Sequence, residues 1–223
     1  MPNFTPILTI DGPGGSGKGT ISRLLAQHLG WHMLDSGALY RVLALQVLHD
    51  NCSFYDTDRI ELLSVTLDAE FSDDSVYLNG VDVTQDIRTE ACGDVASKIA
   101  AHASIREALL VRQRSFAQSP GLVADGRDMG TIVFPDAFLK IYLDASVEER
   151  AKRRFLQLKG SGYGGNLHDL VADIMQRDIR DKTRVVAPLK PAPDAIILDS
   201  TNMGIDAVFN TINNLVKQRL SNS

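Results

Sequence analysis

Apolar and polar residues along this chain fall into blocks whose period switches between that of a buried strand and that of a helix. Ile7 to Ile10 is a short apolar run that ends in a glycine-rich turn, and Ile21, Leu24, Leu25 and Leu29 then recur at helical spacing between Gly17 and Leu29. Gly30 closes that helix, Trp31 to Leu34 predicts a second brief strand, and Ser36 is the expected N-cap of a helix running toward Asp50. The alternation breaks between Ser64 and Asp86. There, β-rich runs at Val65 to Phe71, Val76 to Leu78 and Val81 to Val83 are separated by Ser72-Asp73-Asp74 and Asn79-Gly80, which predicts an antiparallel meander. From Thr89 to Gln118 the composition is helix-forming and stops before Pro120-Gly121. Leu122 to Ala124 and Ala137 to Leu143 are apolar enough for interior parallel strands, and each leads into an aspartate, Asp125 and Asp144. Ser146 caps an expected basic helix reaching Lys159. A flexible Gly160-Ser-Gly-Tyr-Gly-Gly165 segment follows, then a charged helix from Asn166 to Val185, a strand at Ala195 to Leu198 and an amphipathic helix at Ile205 to Leu220. The fold class that results is α/β, with a parallel sheet flanked by helices and a small antiparallel insertion.

Composition narrows the functional classes. With 223 residues the chain has room for one well-buried core, and its 44% hydrophobic and 23% charged content is that of an ordinary globular protein. A net charge of -5 gives no bulk reason to expect a nucleic acid or an anionic membrane as partner. The cations gather locally instead, at Arg150, Lys152, Arg153, Arg154, Arg177, Arg180, Lys182 and Arg184. Two cysteines, Cys52 and Cys92, without C-x-x-C spacing fit a reduced compartment, and neither a secretory signal nor a membrane-length apolar run is present, so the expected location is cytoplasmic.

The chemistry concentrates at Gly12-Pro13-Gly14-Gly15-Ser16-Gly17-Lys18-Gly19-Thr20, which fits G-x-x-x-x-G-K between a predicted strand and a predicted helix. Glycines let main-chain N–H groups wrap a phosphate, the helix N-terminus favours negative charge, and Lys18 brings a mobile cation to the β- and γ-phosphates of a nucleoside triphosphate. Gly19 follows Lys18 where a serine or threonine would face Mg²⁺, so Thr20 or water must take that place. No Asn-Lys-x-Asp guanine-reading segment occurs. The five histidines are scattered without metal-ligand spacing, and Ser16 has no histidine partner that would make it a nucleophile.

Four segments, Ile10-Asp-Gly-Pro-Gly-Gly-Ser-Gly-Lys-Gly19, Leu34-Asp-Ser-Gly-Ala-Leu-Tyr-Arg41, Asp125-Gly-Arg-Asp-Met-Gly130 and Arg177-Asp-Ile-Arg-Asp-Lys-Thr-Arg184, occur in an order that resembles the bacterial-type cytidylate kinases nearly end to end. The resemblance implies a single phosphate-loop kinase domain over residues 1–223. It would carry a β-rich monophosphate-binding insertion at 64–86 and a mobile lid at 150–166, use ATP with Mg²⁺ and phosphorylate CMP or dCMP. It also implies a monomer.

For the acceptor, the resemblance implies that Ser36, Arg41 and Arg127 hold the phosphate and that Arg177, Asp181 and Arg184 reach its sugar and phosphate. Asp128 would accept from the cytosine amino group, while Ser97 and Arg106 would donate to the ring. Read from the residues alone, Ser97 and Arg106 fit surface decoration of a helix equally well. Arg150, Arg153 and Arg154 would close over the ATP phosphates, although each also suits an exposed salt bridge. Lys18, Arg127, Arg154 and Arg177 are the expected catalytic cations. Asp125 is a candidate for organising Mg²⁺ or its waters, with a structural buried carboxyl as the alternative. Two rival functions remain open at this point: a phosphate-loop kinase for another small acceptor such as UMP, shikimate or dephospho-coenzyme A, and an ATP-hydrolysing switch module.

Overall fold

The computed structural model of the chain describes residues 5–72, 75–160 and 166–221. Two compact units account for it: the first is built from residues 1–34 and 116–223, the second from residues 35–115. Residues 161–165, most of the expected glycine-rich flap toward the end of the expected lid, and residues 73–74 fall outside the described residues.

The first unit holds β1 (Ile7–Asp11), α1 (Lys18–Leu29), β2 (His32–Asp35, whose last residue begins the second unit), β6 (Leu122–Gly126), β7 (Leu139–Asp144), α6 (Val147–Gly160), α7 (Leu167–Thr183), β8 (Ile196–Asp199) and α8 (Ile205–Ser221). The sheet order is β2-β6-β1-β7-β8, with β1 parallel to β6 and β7, and β7 parallel to β8. After β1 the chain moves to one side of that strand and later returns to the other. The carboxyl ends of β1, β6 and β7 therefore share the switch point at which open α/β sheets hold ligands. Register places Asp11 opposite Gly126 on one side and Tyr142 on the other. Leu8, Ile10, Val123, Leu139, Ile141 and Leu143 are buried on one shared face of the sheet, and α1 and α8 cover them with Ile21, Leu25, Val208, Ile212 and Val216.

The second unit is mainly helical. It comprises α2 (Ser36–His49), α3 (Thr57–Thr66), a three-stranded antiparallel sheet of β3 (Ala69–Phe71), β4 (Val76–Leu78) and β5 (Val81–Asp82), α4 (Glu90–Ile99) and α5 (Ala103–Ser115). Helix α2 is apolar nearly all round, with Leu39, Val42, Leu43, Ala44 and Val47 buried, so it forms the spine of this unit.

Three expectations change. Ser36 is not the N-cap of α2: the Asp35 carboxylate accepts from Ala38 N–H at 2.8 Å, and Ser36 is the first helical residue. Val65 and Thr66 belong to α3, which Asp56 caps, and the strand begins only at Ala69. The helix-forming stretch after Thr89 is two helices, broken between Ile99 and Ala103, with Thr89 capping the first.

Candidate active site

In the phosphate loop, geometry explains the glycines where they matter. A Cβ on Gly12, at φ +149°, would fall 2.0 Å from the carbonyl oxygen of Leu143, so no side chain fits between β1 and β7 at this point. Gly17, at φ +95°, is the N-cap of α1. Lys18 is only 5% exposed, and its Nζ donates to the carbonyl of Pro13 at 2.8 Å, which curls the side chain over the loop. The Ser16 hydroxyl donates to the same carbonyl at 3.1 Å.

Two arginines of α6 hold the loop from behind. Arg150 donates to Gly14 O at 3.1 Å and to Ala145 O at 2.9 Å, and pairs in a two-pronged fashion with Asp178 of α7 at 3.1 and 2.5 Å. It is 2% exposed. Arg153 donates to Ser16 O at 3.1 Å and to the Ser200 carbonyl at 2.7 Å, and also pairs with Glu149 at 3.0 Å. The Ser200 hydroxyl donates to Ser16 O at 3.3 Å. Loop carbonyls bound in this way leave the loop N–H groups as the face available to an anion. Arg150 and Arg153, expected to close over the ATP phosphates, are thus engaged with loop carbonyls and carboxylates. Arg154 is half-buried, and its guanidinium donates to Gln157 Oε1 at 3.0 Å within its own helix.

At the end of β6, Arg127 donates to Asp181 Oδ2 at 3.1 Å and to Gly126 O at 3.2 Å. Burial alone would lower its pKa, yet Asp181 and then Asp125 hold it above the ordinary arginine value. Burial pushes the Asp181 carboxyl up, but Arg127, followed by Arg177 and Arg184, brings it below the usual carboxylate value. Asp128 is buried and lies 3.7 Å from the Arg184 guanidinium, whose Nε donates to Ala187 O at 2.6 Å. The structure therefore brings Arg127, Asp128, Arg177, Asp181 and Arg184 together, although up to fifty-odd residues separate them in the chain. Asp125 is buried beside the start of α1, where a Cβ on Gly19 would lie 3.4 Å from its Oδ2, and Thr20 is exposed.

The remaining candidates belong to the second unit. Ser36 donates to Gln113 Oε1 at 2.8 Å. Arg41 donates to Ile87 O at 2.6 Å and Thr89 O at 3.1 Å, lying so close to α4 that a Cβ on Gly93 would meet its Nη2 at 2.6 Å. Ser97 is buried on α4; Arg106 is buried on α5, donates to Ala100 O at 3.1 Å and places its guanidinium 5.5 Å above the Tyr40 ring. Neither Ser97 nor Arg106 is surface decoration.

Sequence reasoning missed Asp11, Gln113, Asp178 and Ser200. Asp178 stands inside the Arg177 to Arg184 motif without a role, because a helical aspartate reads as solvated until its partner is known. Ser200 and Gln113 carry no local signal at all. Among the described residues no group of three His, Cys, Asp or Glu could hold a metal alone, and no helix is long and apolar enough to cross a membrane.

A protein-family model described as cytidylate kinase matches residues 8–218. The cytidylate kinase of Aeromonas salmonicida (strain A449) is 54% identical and covers 100% of this chain and 99% of its own length. That of Shewanella baltica (strain OS155) is 53% identical over 100% of both, and that of Shewanella denitrificans is 52% identical over 99% of this chain and 100% of its own.

Proposed function

The chain belongs to the cytidylate kinase family, and on that premise we propose how its residues transfer the terminal phosphoryl group of ATP to CMP, and to dCMP. The observation that carries the proposal is the phosphate loop, whose carbonyls are bound by Lys18, Arg150 and Arg153 and whose amides therefore face a polyphosphate. An oxygen of the CMP phosphate attacks the γ-phosphorus in line while the bond to the β–γ bridging oxygen breaks, and no enzyme-bound covalent intermediate forms. Catalysis then consists of positioning and charge neutralisation. Lys18, released from Pro13, follows the charge that spreads over the γ-phosphoryl oxygens, and Arg154 and Arg177 add to it from α6 and α7.

Mg²⁺ fits this donor set, since it takes one or two carboxylates with substrate phosphates and water, and Asp125 offers a single buried carboxylate beside the loop, with the Thr20 hydroxyl nearby in sequence. Bound with ATP, it supplies neutralisation of the phosphate oxygens. For the acceptor, we assign Ser36, Arg41, Ser97, Arg106, Arg127, Asp128, Arg177, Asp181 and Arg184. Asp128 reads the amino group that distinguishes cytosine from uracil. A carboxylate left facing the uracil carbonyl costs about 1–3 kcal/mol, which is the origin of selectivity. The same reading places the enzyme in the cytoplasm as a monomer, with no nucleic acid or membrane partner.

The test is Lys18→Ala. Its kcat should fall by about 10²–10³-fold while calorimetry shows CMP binding intact. Wild-type turnover with full CMP affinity lost would reverse the assignment, and an ATPase rate independent of any monophosphate would point to a switch module.

A further inference from the structure

A carboxylate that is 4% exposed at the end of an interior strand needs a partner for each oxygen, and Asp11 has two of the same kind. Its Oδ1 accepts the Met129 N–H at 2.8 Å and its Oδ2 accepts the Gly130 N–H at 2.8 Å. These are consecutive amides at the start of the π-helical turn Met129–Val133, where a helical segment leaves its first donors unpaired. The turn follows directly on Arg127 and Asp128.

Both ends of this connection are fixed. Asp11 is held in register between β6 and β7, and the next residue, Gly12, abuts the Leu143 carbonyl. On the other end, the turn lies so close to β1 that a Cβ on Gly130 would approach Thr9 Oγ1 to 2.9 Å. One hydrogen bond would leave the turn free to rotate about it. Two bonds from one carboxylate fix both its distance and its rotation. The carboxylate therefore ties the strand that opens the phosphate loop to the turn that presents the acceptor-binding pair.

We propose that Asp11 is a positioning residue for the acceptor, setting Arg127 and Asp128 relative to the phosphate loop. The proposal rests on the assignment of those two residues to CMP. It distinguishes two changes at this site. Asp11→Asn removes the charge and turns an amino group toward one of the amide donors. Asp11→Glu keeps the charge that Lys18 and Asp128 sense but moves both acceptors by a methylene. A misplacement on the order of 1 Å costs roughly 10²-fold in a positioned reaction.

The experiment measures steady-state kinetics of the full chain, with CMP varied at saturating ATP and ATP varied at saturating CMP, for wild type, Asp11→Asn, Asp11→Glu and Asp128→Ala. We expect both Asp11 substitutions to lower kcat/KM for CMP by about 10–100-fold, mainly through KM, and to narrow the preference for CMP over UMP, with KM for ATP within about twofold of wild type. A merely structural carboxylate would lower the melting temperature without this split. If Asp11→Asn fails to accumulate, Asp11→Glu alone decides the question. An unchanged KM for CMP overturns the proposal, as does an equal rise in KM for ATP, which would assign the carboxylate to the loop. Should Asp128→Ala leave the CMP to UMP preference intact, the reading of cytosine by Asp128 fails, whereas the Asp11 variants still report on Arg127 through KM.

Discussion

The buried and half-buried arginines are used differently in the two units. In the first, Arg127, Arg150 and Arg153 each end on a carboxylate: Asp181, Asp178 and Glu149. In the second, Arg41 donates to the carbonyls of Ile87 and Thr89, Arg106 to Ala100, and Arg112 to Leu67 and Ala69. A carboxylate fixes a guanidinium and offsets part of its charge, while a carbonyl dipole fixes it without itself adding a counter-charge. At Arg150 and Arg153 the first device braces the phosphate loop, at Arg127 it orients a guanidinium that the acceptor reading assigns to CMP, and the second device suits a cation that must attract a dianion. Lys18, held by Pro13 O, follows the second rule inside the first unit.

The comparison breaks most visibly at Asp178. Asp178→Ala leaves the buried Arg150 charge beneath the phosphate loop without its carboxylate, and we expect a stability loss of about 3–5 kcal/mol in urea unfolding. Under 1 kcal/mol would show that carbonyls alone suffice in the first unit too.

The mirror image of the comparison sits within the first unit, where Asp11 is held by amides and Asp181 by guanidinium groups. Burial, opposed by the Gly130 and Met129 amides, lifts the Asp11 carboxyl from 3.8 to about 6. A carboxyl raised on folding stabilises fully below its unfolded value, and this contribution is lost as pH rises through its folded value. The stability gap between wild type and Asp11→Asn should thus narrow from about pH 4 to about pH 7, by roughly 2–3 kcal/mol. Asp181 works in the opposite sense: its lowered carboxyl contributes above the unfolded value and loses that contribution as pH falls. Denaturant curves at the two pH values for wild type and Asp11→Asn check the sign, and a gap that widens with pH contradicts it.

Arg41→Ala sharpens the contrast from the second unit. It should raise KM for CMP by about 10–100-fold, because a charge-assisted contact is removed, and cost stability by about 1 kcal/mol. A larger stability loss with unchanged KM would place Arg41 with the architectural arginines. The smallest effect is expected at Thr89, whose hydroxyl caps α4 and whose carbonyl accepts from Arg41. Thr89→Ala should cost about 1 kcal/mol through the cap alone and leave KM for CMP near wild type.

Much of the first unit was legible because its signals are local. Apolar runs ending in Gly12 or Asp125, a loop with Lys18 at fixed spacing and a helix closed by Gly30 all follow from neighbours in sequence. The second unit was less so. Val65 and Thr66 have strand-type side chains, but Asp56 caps a helix that continues through them and buries Ile60. Ser36 resembled a cap, although Asp35 caps α2 and the Ser36 hydroxyl is spent on Gln113, seventy-seven residues away. The arginines were found by type, without their partners. The sequence does not say that Arg150 meets Asp178 twenty-eight residues on or that Asp11 meets Met129 across 118. Such pairings follow from helix packing and strand order, which only the assembled fold defines.

The link from Ser200 to the carbonyl of Ser16 joins a segment to one synthesised 184 residues later, and Arg153 reaches the same carbonyl. On the ribosome, the loop near residue 16 therefore waits for residue 200 before its supports are complete. A nascent chain halted before β8 would carry the nucleotide motif in full and lack the Ser200 part of the scaffold that shapes it.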